Sequence, residues 1–250
     1  MFIKSIANKY IVWNWDWNLD SALRYKYLVK FIRKFSPVVI VEVGSGSRGV
    51  SAYAKVASIG VDLAFDPGIE SDLQKRVLAS GNNLPFADSS IDVVLSVDML
   101  EHVPKSVRPR IIKEMFRVVR SDGLLYIAVP VGGDAQKADR RVHDLFFKIK
   151  GKAHPMLLDH VEHGLPDKEE IVSLVDGIAA TRGWKVTKSE NTPIWLWEWN
   201  LMAFAVERWV PGLRHFQRIL LQPFFPLLSK FKSNSNYRII LTATRSDNAN

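Results

Sequence analysis

Gly44, Gly46 and Gly49, in the run VEVGSGSRG (41–49), stand in the GxGxxG spacing after a β-branched run and before a helical pattern. Glycines there let the chain turn tightly, bring a ligand close to the backbone and let helix pack on strand. Ser45 lies inside the same turn. Alone, the spacing fits a dinucleotide, another adenosine-containing cofactor or an ordinary strand-to-helix turn. Asp62 ends the next apolar run, 18 residues after Gly44, and is followed by Leu63. A carboxylate at that strand end can accept both hydroxyls of a ribose, or simply cap the strand. Glu42 adds a second carboxylate two residues before the first glycine.

A second group of reactive side chains lies further along. Near the end of a third apolar run stands Asp98, and Glu101 and His102 follow the run at the edge where open α/β sheets place ligands. A cofactor-edge or substrate contact and a plain helix-start acid with a loop-positioning histidine both fit this pair. His143, His154, His160 and His163 crowd the next stretch, and DHVEHGLP (159–166) packs acids and imidazoles together. A general base for a hydroxyl nucleophile can come from such a set, since imidazole titrates near working pH. Ordinary loop chemistry is the alternative. His160, Glu162 and His163 match no zinc spacing, so no metal site is assigned.

These residues need a frame, and the middle of the chain supplies one. Apolar runs at 37–43, 56–65, 91–100 and 124–131 read as strands buried on both faces. Val107, Ile111, Ile112, Met115, Phe116 and Val119 recur at helical spacing before Gly123, so a right-handed crossover joins the third run to the fourth. Residues 132–167 are polar with Gly and Pro interruptions, and read as an insertion over the carboxyl edge of the sheet. A helix over 168–183, a strand over 184–191 and a last strand over 237–245 complete the pattern.

The 250 residues suffice for one α/β domain with decoration. There is no cysteine, which excludes disulfides, thiolate metal sites, iron–sulfur clusters and a cysteine nucleophile. No signal peptide is read in MFIKSIANKYIVWNWDW, and no apolar run reaches the ~18 residues of a membrane span. A cytoplasmic protein is expected.

The motifs resemble those of the class I S-adenosylmethionine-dependent methyltransferases, in particular the methyltransferase type 11-like group of small-molecule enzymes. VEVGSGSRG is similar to their first motif and GVDLAF (60–65) to their second. NNLPFADSSIDVVLSVDMLEHV (82–103) is similar to their LPF, acid, serine, acid, strand, EH stretch. The resemblance covers residues 37–131. It implies a doubly wound, seven-stranded Rossmann-like sheet with the last strand antiparallel, and S-adenosyl-L-methionine as cofactor. On this resemblance Glu42 faces the cofactor's methionine end, Asp62 its ribose, and Leu84 or Phe86 its adenine. Gly44, Ser45, Gly46, Gly49, Leu63 and Asp98 complete the cofactor set. Many relatives carry an aspartate where this chain has Ser80, so adenine recognition passes to Asn82, Asn83 or backbone groups. Asp98, His102, His160 and His163 are the candidates for orienting or deprotonating the acceptor.

The expected organisation is an N-terminal helical cap (1–36), the core (37–191) with its insertion (132–167), and an aromatic, basic extension (192–250) that includes the last strand. Residues 1–36 carry seven Lys and Arg against two Asp and Glu, and residues 192–250 seven against three, so the chain's +8 resides on its flanks. Seven of the eight tryptophans lie there too, including WNWDW (13–17) and WLWEW (195–199), whose period-two spacing puts three indoles on one side if extended. Core packing, contact with an anionic membrane and nucleic-acid binding all use such residues. Nucleic acid ranks last, for want of any RNA-binding signature or NPPY-type tetrapeptide. The expected function is methyl transfer, to oxygen, of a small-molecule, sugar or lipid-linked acceptor. The alternatives are an NAD(P)-dependent oxidoreductase using the same glycines, or a non-catalytic S-adenosylmethionine-binding protein at a membrane surface.

Overall fold

The computed structural model describes residues 19–35, 39–69, 71–154, 157–206, 216, 219–228 and 233–245. Trp13, Trp15, Trp17 and Trp209 lie outside the described residues, as does the first half of the expected N-terminal cap.

The elements in chain order are α1 (Leu19–Phe35), β1 (Ile40–Val43), α2 (Gly49–Ala54), β2 (Ser58–Asp62), β3 (Gln74–Leu78) and β4 (Ile91–Val97). A 3₁₀ turn (Leu100–His102) leads to α3 (Arg108–Val118) and β5 (Val119–Pro130). There follow α4 (Gly132–Lys150), α5 (Leu158–His163), α6 (Lys168–Thr181), β6 (Trp184–Pro193), α7 (Ile194–Val206), α8 (Phe225–Leu228) and β7 (Asn236–Arg245). The seven strands form one sheet in the order β3-β2-β1-β4-β5-β7-β6. Its first five positions are parallel, and β7 runs antiparallel to both β5 and β6.

Both faces of the sheet are covered at its centre, which is why its central strands read as continuous apolar runs. Side chains alternate across a strand, so neighbours in β4 serve opposite cores. Val94 packs with Ile112, Met115 and Phe116 of α3 and Val175 of α6 on one face. Val93 and Leu95 pack with Leu28 and Ile32 of α1 and Val50 of α2 on the other. The start of α6 is fixed by Asp167, whose side chain accepts the Glu170 amide at 2.9 Å.

Two segments differ from the sequence reading. The polar insertion is largely helical, with α4 alone spanning 19 residues. Its buried stripe is Ala135, Ala138, Val142 and Phe146, mostly small residues inside a charged stretch. WLWEW is helical rather than extended. Successive odd positions then point to different sides, leaving Trp197 buried at 3% exposure and Trp195 exposed at 58%. The polar edge strand β3 escaped the strand pattern altogether.

Candidate functional site

In this sheet the strand order reverses between β1 and β4, and a crevice opens beyond their carboxyl ends. A cavity of about 530 Å³ occupies it. Gly44 and Gly46 from the turn after β1, Asp62 and Leu63 from the end of β2, and Asp98 and His102 beyond β4 line it.

The glycine turn is glycine by necessity. Gly44 has φ +74°, and a Cβ there would lie 2.0 Å from Met99 Cγ. Gly49 has φ +48°, and its Cβ would meet Glu42 Oε2 at 2.3 Å. At Gly46, by contrast, a Cβ would find nothing within 4 Å, so the backbone there faces open space. Such a bare backbone admits a ligand at close range. The Ser45 hydroxyl donates to the Gly46 carbonyl at 2.9 Å, within the turn itself.

Asp62 Oδ2 accepts the Gly46 amide at 2.8 Å, and Oδ1 accepts the Leu63 amide at 2.7 Å. The strand-end carboxylate is thereby oriented beside the turn, with hydrogen-bonding capacity left over for further donors. Glu42 sits deeper. Its carboxylate is 1% exposed and accepts from the Tyr25 hydroxyl at 2.7 Å and from the Val50 amide. Burial pushes its pKa up to about 7, against the opposing pull of those two donors.

The other expected cofactor residues divide. Leu84 is buried, with its amide held by Glu114 Oε2 at 2.9 Å, and the Asn82 carbonyl accepts from Arg110 at 3.1 Å. Neither they nor Asn83 line the cavity. The corresponding wall is made by Ala79, Ser80 and Gly81, faced by Met99, Val103, Val107 and Ile111. That apolar wall was not singled out from the sequence, although Val107 and Ile111 were recognised as helical core positions.

Beyond β4 lies a network of charged and polar groups. Asp98 has φ +48° and receives the buried Arg238 through Nε at 2.7 Å and Nη2 at 2.6 Å, together with Arg24 at 3.1 Å. Arg238 also donates to the Thr192 hydroxyl at 3.1 Å. His102 is half-buried on the cavity wall, with Nδ1 3.0 Å from Asp159 Oδ2. Burial lowers its pKa, as does the neighbouring His160, while Asp159 opposes both. His160 is buried, its Nδ1 2.8 Å from Asp139 Oδ2 and its ring centroid 4.8 Å from that of His102. Asp139 further accepts from Trp197 Nε1 and the Tyr237 hydroxyl, each at 2.8 Å. Burial pushes the Glu101 carboxyl well above the usual carboxylate range, and the Asp98 charge adds to the effect.

The structure thus brings His102 and His160 together and leaves His163 exposed on α5, outside the cavity lining. Asp139, Arg24 and Arg238 are the members that sequence reasoning missed, while Asp159 lay in the DHVEHGLP run without an assigned role. Among the three, Asp139 alone gave a signal, by its place in the buried stripe of α4.

Residues 41–127 match the family model described as a methyltransferase domain. The chain is 32% identical over 204 residues to an uncharacterized methyltransferase of Mycolicibacterium paratuberculosis (strain ATCC BAA-968 / K-10), with 71% of each chain covered. It is 31% identical over 177 residues to an uncharacterized methyltransferase of Mycobacterium sp. (strain KMS), spanning 60% of this chain but only 59% of that relative's length. Its fold is similar to that of Haemonchus contortus phosphoethanolamine N-methyltransferase 2 in complex with S-adenosyl-L-methionine. The TM-score is 0.51 at 14% identity, with 88% of this chain and 52% of that chain covered.

Proposed function

Since the chain belongs to the methyltransferase family, we propose that it binds S-adenosyl-L-methionine in the crevice beside β1 and β2 and methylates an oxygen of a small-molecule, sugar or lipid-linked acceptor. The observation that carries this reading is the pairing of the Gly46 amide with Asp62 on the wall of the cavity. An open backbone and an oriented carboxylate meet there, as a ribose requires. Ser80, Gly81 and the apolar wall of Met99, Val103, Val107 and Ile111 suit the adenine, in place of Asn82, Asn83 and Leu84.

When bound, the cofactor would supply an electrophilic methyl group on a positively charged sulfur, with a neutral thioether as its leaving group. Displacement of this kind depends on alignment more than on covalent help. His102 lines the cavity with its ring set by Asp159, and it orients the acceptor hydroxyl. Asp98 serves by holding the loop that carries Met99 and His102, since its carboxylate is taken up by Arg238 and Arg24. The methyltransferase relatives favour this reading over hydride transfer on the same glycines.

A lipid-linked acceptor draws support from the exposed apolar side chains of the C-terminal extension. Trp195, Phe216, Ile219, Phe224 and Leu227 are each more than half exposed, on a flank of net positive charge. Such a surface suits an anionic membrane interface. Among the described residues no helix is long and apolar enough to cross a membrane.

The test is a screen with methyl-labelled cofactor against lipid, glycan and polar-metabolite extracts. Label recovered as a methyl ether or ester supports the reading. Label found only on nitrogen, carbon or protein would overturn the choice of oxygen.

A further inference from the structure

The two histidines beyond β4 share an arrangement that methyl transfer by alignment does not need. Each imidazole engages a carboxylate through Nδ1, His102 with Asp159 at 3.0 Å and His160 with Asp139 at 2.8 Å. A histidine held this way donates its Nδ1 proton and keeps its lone pair on Nε2, the form in which imidazole binds a metal. Asp139 is itself fixed by Trp197 and Tyr237, so the ring of His160 is held in place by an outer layer of hydrogen bonds.

A third ligand group completes the set. Glu101 and His160 are 1% and 4% exposed, yet Glu101 Oε2 and His160 Nε2 have no hydrogen-bond partner. A buried polar atom without a partner is destabilising, so two of them close together call for a common partner. His160 Nε2 stands 4.0 Å from Glu101 Oε1, too far for a hydrogen bond and wide enough for an ion between them. One ligand atom from each of Glu101, His102 and His160 lies within 4.8 Å of the others.

We propose that Glu101, His102 and His160 bind a divalent transition-metal cation, of the zinc, cobalt or manganese kind, at the inner edge of the cavity. Two imidazoles and one carboxylate are a set that such ions accept while keeping open positions. The proposal for the site stands on these side chains alone. Its use rests on the methyl-transfer reading. His102 reaches the cavity wall, so an open position on the ion holds the acceptor oxygen, and His102 orients the acceptor through the metal.

The experiment titrates metal-free protein with Co²⁺, without S-adenosylmethionine, and follows visible absorption with equilibrium dialysis as a second readout. One equivalent per chain with ligand-field bands is expected. Binding should weaken at least ~10-fold in His102→Ala and in His160→Gln and stay unchanged in His163→Ala. Circular dichroism of each metal-free variant shows that it is folded, and the half-exposed His102 provides the arm least exposed to folding failure. Folded wild-type protein that takes up no Co²⁺ overturns the proposal. So does binding that survives His102→Ala but is lost in His163→Ala, which would put the ion on the exposed Asp159, Glu162 and His163 cluster instead. Because cofactor is absent throughout, failure here leaves the reading of the glycine turn standing, and failure of cofactor binding leaves this result intact.

Discussion

Arg238 of β7, with no side-chain exposure, grips Asp98 beyond β4 through Nε at 2.7 Å and Nη2 at 2.6 Å. The pairing ties the C-terminal strand to the loop that carries Met99 and His102. Removing one member of a buried ion pair typically costs 3–5 kcal/mol, because the other charge stays buried. Arg24 remains beside Asp98, so Arg238→Ala should lower stability by about 3 kcal/mol. Urea unfolding measures this, and a loss below about 1 kcal/mol would show that Arg24 alone suffices.

The glycine turn separates stability from ligand binding. Gly44→Ala forces a Cβ to within 2.0 Å of Met99 Cγ at a left-handed φ, and should lose at least ~2 kcal/mol. Gly46→Ala meets no neighbour, so it should lose only ~1 kcal/mol while adding a methyl where the proposed cofactor would lie. Thermal melts and cofactor titrations of both variants are the check. Equal damage to stability from the two changes would contradict this assignment.

Glu42 makes the pH dependence specific. Its folded pKa of about 7 lies above the ordinary 4.5, so the native state binds the extra proton between those values. Stability from this group is therefore full below pH 4.5 and is lost as pH rises through 7, a difference of about 3 kcal/mol. Glutamine cannot ionise, and it can keep both hydrogen bonds if the Tyr25 hydroxyl turns to accept. Glu42→Gln should thus melt above wild type at pH 8 and level with it near pH 4.5. The same offset at both pH values would remove burial of charge as the cause.

The strand core and the glycine turn were legible because their signals are local. β-branched runs, glycines at fixed offsets and an acid at a strand end lie within short windows of sequence. The helix α4 was obscured because its buried stripe uses alanines and includes Asp139 within a run of charges. α7 was obscured because WLWEW satisfies a period of two while its flanks make it helical. The network around His102 depends on Arg24, Asp98, Asp139 and Arg238, which the fold alone brings together, and no window of sequence reports a partner 140 positions away.

The exposed aromatic and aliphatic side chains of the C-terminal extension give a prediction for membranes. Flotation with anionic vesicles should recover more protein than with neutral ones, and the difference should shrink as salt rises. A Trp195→Glu, Phe224→Glu double variant should abolish recovery on both. Equal recovery with neutral and anionic vesicles would argue against a basic, aromatic lipid surface.

That the crevice takes S-adenosyl-L-methionine is the centre of the functional reading, and isothermal titration of the folded protein tests it most directly. One equivalent per chain with a micromolar Kd is predicted, weakened about 100-fold in Asp62→Ala, which would remove the charge-assisted bonds proposed between this carboxylate and the ribose. No heat of binding to folded wild-type protein, or binding indifferent to Asp62, would contradict it.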